Sequence, residues 1–136
     1  VVDRLGIRAR CRTKRLPLLG ADGALDLEIE RLVDGDPALD EPLVPGLRYR
    51  RADAVRAVRH EMATTLIDVL TRRTRAHLQH RASTRAAAHD VAELIANELG
   101  WDDEEIEAQV AAYDRLCDAE VAAAAPPDRA RTQEIA

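Results

Sequence analysis

Hydrophobic positions recur along this 136-residue chain with a helical beat. From Ala52 onward, Val55, Val58, Met62, Leu66, Val69 and Leu70 follow one another at steps of three or four, the spacing that lines one face of an α-helix. The stripe predicts a single amphipathic helix from residue 52 to somewhere between residues 70 and 73. A second stripe, Val91, Leu94, Ile95 and Leu99, stops at Gly100, with Ser83 or Thr84 as its expected cap. A third, Ile106, Val110, Tyr113 and Cys117, follows Trp101; Asp102 caps it, and the acids of its first turn suit the helix dipole. A short helix is expected over residues 24–33. No segment between residues 51 and 121 alternates as a strand does. The fold class expected is therefore all-α: a small helical bundle of three main helices plus a short one, with an extended N-terminal arm.

Turn residues divide these elements. After Gly6, "IRARCRTKRLPLLGADGA" carries alternating arginines and then Pro17, Gly20 and Gly23, so residues 7–24 read as an extended arm that ends in turns. Asp34-Gly35, Pro37, Pro42, Pro45 and Gly46 make residues 34–46 the best linker or boundary in the chain, at the end of a linker expected over residues 21–46 with one short helix in it. Residues 47–121 form the helical domain, and residues 122–136, with Pro126-Pro127, are expected to be a disordered tail. The chain opens on "VVDRLG" without a Met, like the last turns of a helix before its glycine stop. That opening suggests a piece of a larger protein.

Composition narrows the core. Hydrophobic residues make up 46%, yet there is no Phe and aromatics are 2%, so the interior must come from Leu, Val, Ile and many Ala in closely packed helices. The net charge of −5 hides a block pattern. Residues 20–45 hold eight acids against Arg31, residues 46–85 hold ten Arg against three acids, and residues 86–136 hold thirteen acids against three Arg. In a compact fold, blocks of opposite sign are expected to face one another. Cys11 and Cys117 match no metal or redox spacing, which suits free thiols in a reducing, cytoplasmic compartment. No apolar run approaches the ~20 residues of a membrane span.

Familiar chemical motifs are incomplete. "HEMAT" begins like the zinc signature, but position 64 is Thr where a second His is needed, and the pair His77 and His80 has no Cys or carboxylate at ligand spacing. No glycine-rich phosphate loop and no nucleophile motif occur, and "DDEEIE" is explained by helix capping. The candidate site is the run Arg72, Arg73, Thr74, Arg75, read as an interdomain or anion contact; no catalytic, cofactor-binding or metal residue is assigned. Arginines at a helix C-terminus satisfy free carbonyls, and they also clamp phosphate or carboxylate. Arg48, Arg50, Arg51, Arg56 and Arg59 extend the basic stretch, but overall acidity and the lack of a compact helix-turn-helix weigh against nucleic acid.

Three ordered words carry a resemblance: "TKRLPLLGA" (13–21), "DPALDEPLVPGLRYRRADAVRAVRHEMATTLIDVLTRRTR" (36–75) and "VAELIANELGWDDEEIEAQVAAY" (91–113). Together they resemble the C-terminal region of FAD-dependent, aerobic-type glycerol-3-phosphate dehydrogenases, actinobacterial members above all. The resemblance implies an oxidoreductase that converts sn-glycerol 3-phosphate to dihydroxyacetone phosphate, with electrons passing through FAD to membrane quinone. It implies that FAD is bound by an N-terminal region outside this chain and that residues 1–20 trail from that region. It also implies a helical cap role for residues 47–121, and a junction over residues 21–46 that is shorter than the family's. The partners implied are the FAD-binding region and, for the whole enzyme, glycerol 3-phosphate and quinone, with peripheral membrane association and a homodimer as further options. The alternative is a free-standing helical interaction module that docks an acidic partner through residues 48–75.

Overall fold

The computed structural model describes residues 4, 6, 12–16 and 24–124. Among them no strand occurs, only helices and one isolated bridge between Pro42 and Arg50. The expected all-α architecture is what is found. Most of the N-terminal arm lies outside the described residues; the part that is described includes a 3-10 turn, Thr13–Arg15.

Helix α1 spans Ala24–Gly35, two residues beyond the expected end. Asp36 then caps a 3-10 turn, Pro37–Asp40, by accepting the Ala38 N–H at 3.0 Å, with Pro37 at its first position where no donor is needed. The following loop closes on itself. Leu43 donates its N–H to the Tyr49 carbonyl at 2.8 Å, Arg51 donates to Glu41 at 2.9 Å, and Gly46 turns at φ 81°. This closure pushes Leu43 and Val44 into the main core, where they are 3% and 1% exposed. Within the stretch expected as linker or boundary, Leu43 and Val44 are thus buried with the helices.

Helix α2, Arg51–His60, begins where the Asp53 carboxylate accepts the Arg50 N–H at 2.8 Å, half of a capping box. Its buried face is Ala52, Ala54, Val55 and Ala57, and such small side chains let the later helix Ala88–Leu99 approach closely. The stripe predicted one helix on to residue 70 or beyond; instead α2 stops at His60. Met62 takes a left-handed φ of 57°, and the Ala57 carbonyl accepts N–H groups from both Glu61 and Ala63 at 3.1 Å. A new start comes at once: the Thr65 hydroxyl accepts the Asp68 N–H at 3.1 Å, and the Asp68 carboxylate accepts the Thr64 N–H at 3.3 Å. The chain then winds through a π-helical segment, Asp68–Arg73, that buries Val69 and Leu70 completely.

Magnitudes explain the break. A left-handed non-glycine residue costs about 1–2 kcal/mol, whereas burying Leu66, Val69 and Leu70, each 0% exposed, gains about 1.5–3 kcal/mol apiece. The redirected segment is also fastened to another element, since Leu66 donates its N–H at 3.1 Å to Oε1 of Gln109, on the last helix, Asp103–Ala124.

Arg75, at φ 52°, leads into α3 (Ala76–Gln79) and α4 (Arg81–Ala86). Ser83 and Thr84 do not cap the second long helix as expected. His80 does that for α4 through Nδ1, which accepts the Ser83 N–H at 3.1 Å, while Thr84 is buried and donates its hydroxyl to the His80 carbonyl at 2.9 Å. After Ala87 the chain continues as α5, Ala88–Leu99, which ends at Gly100 with φ 71°. Helix α6, Asp103–Ala124, starts with the Asp102 carboxylate accepting the Glu105 N–H at 2.9 Å, as its sequence foretells. The helix runs three residues into the region expected to be tail; residues 125–136 lie outside the described residues. Tyr113 and Cys117 bury the α6 stripe against Leu66, Leu70, Val91 and Ile95 in one core.

The charge blocks face one another. The basic stretch reaches one acidic block through Arg50 with Glu30 and Asp40, and the other through Arg59 with Glu98 and Arg85 with Asp114 and Asp118. Arg59 grips Glu98 with two bonds of 2.7 and 2.6 Å, and this pairing holds the Glu98 carboxyl below its usual range. No described helix is long and apolar enough to cross a membrane.

Candidate functional site

The break in the long stripe creates a surface feature. Arg48, Tyr49, His60, Glu61, Met62, Arg72, Arg73, Arg75 and Gln79 line an open groove of about 820 Å³. The 42–50 loop, the end of α2, the π segment and α3 each contribute a wall. Three of the four expected contact residues, Arg72, Arg73 and Arg75, are on it. Thr74 is not: it is 1% exposed, its hydroxyl donates to the Val69 carbonyl at 2.9 Å, and it holds the π turn shut. Its place in the expected contact is therefore corrected to an internal one.

The groove's cations differ in how far they are committed. Arg72 pairs with Asp68 one turn back. Burial pushes the Asp68 carboxyl up, but hydrogen bonds from Thr65 and Thr64 and the charge of Arg72 outweigh it and leave the carboxyl below its usual range. Glu61 is held by Arg56 at 2.7 Å, His60 lies 3.3 Å from Glu28, and the Arg48 guanidinium stacks 4.9 Å over the Tyr49 ring. Arg73 and Arg75 have no carboxylate partner among the described residues. Net positive charge is thus presented to whatever fills the groove.

The sequence pattern joins Arg48 to the later arginines only as part of the basic stretch 48–75, does not single out Tyr49, and puts Met62 on the apolar helical face, whereas Met62 is 85% exposed beside the groove. One signal was present: "TLID", residues 65–68, has the capping-box form of Thr followed three residues later by an acid, which marks a helix start inside the supposed helix.

Other polar groups are structural or exposed. His77, 3% exposed, lies between the Tyr113 hydroxyl at 2.9 Å and Glu120 at 2.7 Å, tying α3 to α6; burial pushes the Tyr113 hydroxyl's pKa up. His89, Asp90 and Glu93 bring ligand atoms within 4.8 Å of one another, but all three side chains are exposed and His89 is already held by Glu107 at 3.2 Å. The described glycines, Gly6, Gly35, Gly46 and Gly100, stand singly, so no described loop offers a cradle for a flavin pyrophosphate.

Fold and groove together define a helical domain with a cationic face and a core that runs unbroken from Leu43 to Cys117. Comparison with known proteins gives it a family. Residues 27–106 match the C-terminal domain of alpha-glycerophosphate oxidase, and the chain belongs to that family. The match crosses residue 46, in keeping with the burial of Leu43 and Val44. The chain is 36% identical over 111 residues to glycerol-3-phosphate dehydrogenase of Mycobacterium leprae, covering 82% of this chain and 19% of that protein. It is 33% identical over 111 residues to glycerol-3-phosphate dehydrogenase 2 of Mycobacterium tuberculosis H37Rv, with the same coverage of 82% and 19%. A third relative, glycerol-3-phosphate dehydrogenase of Synechocystis, is 33% identical over 91 residues, 67% of this chain and 16% of that protein. The chain spans about a fifth of the length of the curated relatives it matches. No solved structure matches.

Proposed function

We propose that this chain is the C-terminal helical domain of an FAD-dependent glycerol-3-phosphate dehydrogenase and is structural, with no turnover of its own. The whole enzyme oxidises the secondary alcohol of sn-glycerol 3-phosphate to the ketone of dihydroxyacetone phosphate, with the electrons passing through FAD to quinone. The groups that touch the reacting atoms and the flavin belong to the remaining four fifths of the polypeptide. The enzyme is cytoplasmic, in peripheral contact with the membrane that holds its quinone. Within this chain, Arg72, Arg73 and Arg75 make the contact to the FAD-binding region.

The observation that carries this reading is the family match over residues 27–106, which overlies the helices that build the cationic groove. The test uses the full-length polypeptide. It should purify yellow and reduce an electron-acceptor dye with sn-glycerol 3-phosphate, while residues 1–136 alone should do neither. Replacing Arg72 and Arg73 together with Ala should speed flavin loss from the full-length protein; unchanged retention would remove the contact role. The groove's charge also suits a free-standing module for an acidic partner. An upstream reading frame with a stop codon and a start site beside Val1 would favour the module, and one encoding a dinucleotide-binding fingerprint would favour the dehydrogenase.

A further inference from the structure

Uncommon backbone features converge on the groove. Met62 and Arg75, both of the described non-glycine residues with positive φ, line it, and the π-helical segment supplies Arg72 and Arg73 to the same walls. Left-handed strain persists where the surrounding structure over-determines it and clusters at binding sites, and π turns are frequent there too. At Arg75 the strain positions a cation. At Met62 it positions an apolar side chain that is 85% exposed, the most exposed large hydrophobic residue of those described.

The lining has the chemistry of a protein interface. Met, Arg and Tyr are enriched at such surfaces; the groove holds Met62, four arginines and Tyr49. A pocket for a small anion would hold its cations in an enclosed site, whereas the Arg72 side chain is 68% exposed and already shares its charge with Asp68. A symmetric contact with a second copy would set the same unpaired cations against each other.

We propose that Met62 is the apolar anchor by which this domain docks on the FAD-binding part of its own polypeptide, entering an apolar recess flanked by carboxylates that pair with Arg73 and Arg75. The inference rests on the reading of this chain as a C-terminal domain. The occupant is set by length and charge. About four fifths of each long relative lies outside the matched region, and among the described residues the acids that face the basic stretch, Glu28, Glu30, Asp40, Glu98, Asp114 and Asp118, are already paired with His60, Arg50, Arg59 and Arg85. No described carboxylate pairs with Arg73 or Arg75, which suits them to carboxylates on the docking partner.

The experiment uses the full-length enzyme carrying Met62→Asp, Met62→Leu, or Arg73→Glu with Arg75→Glu. An aspartate on so exposed a side chain leaves this domain's core intact, which unchanged helical circular dichroism would verify. Met62→Asp should release flavin at least tenfold faster, split a single melting transition into two and open the junction to protease. The double charge reversal should do the same, and Met62→Leu should behave as wild type. If Met62→Asp matches wild type in flavin retention, melting and proteolysis, the docking inference is overturned while the dehydrogenase reading stands. A tenfold rise in KM for sn-glycerol 3-phosphate with domain association unchanged would make the groove an anion site and overturn it as well. Loss of a dimer with domain association unchanged would assign the face to a second copy, with the same consequence. A wild-type polypeptide that neither holds FAD nor oxidises sn-glycerol 3-phosphate would overturn the parent reading, and the named partner with it.

Discussion

Helices α2 and α5 both end beside a left-handed residue and a doubly accepting carbonyl, and they differ in what ends them. At the end of α5, Gly100 turns left-handed at φ 71°, and the Ala96 carbonyl accepts N–H groups from Gly100 at 2.8 Å and Trp101 at 3.1 Å. At the end of α2, Met62 turns left-handed at φ 57°, and the Ala57 carbonyl likewise accepts two N–H groups. Glycine adopts this conformation without steric cost; methionine does not. The first stop is therefore written into the local sequence. The second is imposed by the burial of Leu66, Val69 and Leu70 beyond it, and the residue that bears the strain is left facing outward on a cationic groove.

Four substitutions separate the two stops. The largest effect is expected from the anchor that holds the chain beyond the break. Leu70→Ala removes a fully buried side chain and should cost about 2–5 kcal/mol in chemical denaturation. A loss below about 1 kcal/mol would mean that the redirected segment is not held by the core.

Next comes the polar start at residues 64–68. Asp68→Asn should cost about 1–3 kcal/mol, because the carboxylate that accepts from Thr64 and Arg72 loses its charge. The pH dependence has a definite sign. The folded Asp68 carboxyl titrates below its unfolded value of about 3.9, so its contribution is complete above about pH 4 and disappears as pH falls through the folded value. Glu98, lowered by its bonds to Arg59, acts in the same direction. Acid unfolding of Asp68→Asn should be correspondingly shallower, and an unchanged acid profile would exclude Asp68 from it.

Two smaller effects test the stops themselves and should have opposite signs. Gly100→Ala should lose about 1 kcal/mol, since a Cβ at that φ is strained even though space around it is open. Met62→Gly should gain about 0.5 kcal/mol, the relieved strain being partly offset by the entropy of an unfolded glycine. If thermal denaturation gave both changes the same sign, the strain assigned to Met62 would be absent.

Much of the fold was legible in local patterns. Asp102, the stripe through Tyr113 and Cys117, the stop at Gly100 and the facing of opposite charge blocks each depend on neighbours in sequence or on net charge. The failures share one cause. The step from Val58 to Met62 to Leu66 keeps helical spacing across a point where the chain is not helical, because periodicity counts residues and cannot see direction. Pro42 and Pro45 likewise read as linker, although Leu43 and Val44 between them are buried. At the candidate site, Arg72, Arg73 and Arg75 were legible as a cluster. Thr74 reads as one with them, but its inward direction depends on the π turn.

The sequence by itself determined the helical class, the family words, the glycine stop of α5 and the arginines of the π segment, because propensity, capping and spacing act over a few residues. The tertiary structure decided where α2 ends, why Met62 is exposed and how Arg48 and Tyr49 come to share a groove with Arg73 and Arg75. Those outcomes depend on Leu66, Val69 and Leu70 finding room against α5 and α6. Their burial outweighs about 1–2 kcal/mol of backbone strain, a balance that no window of neighbouring residues contains.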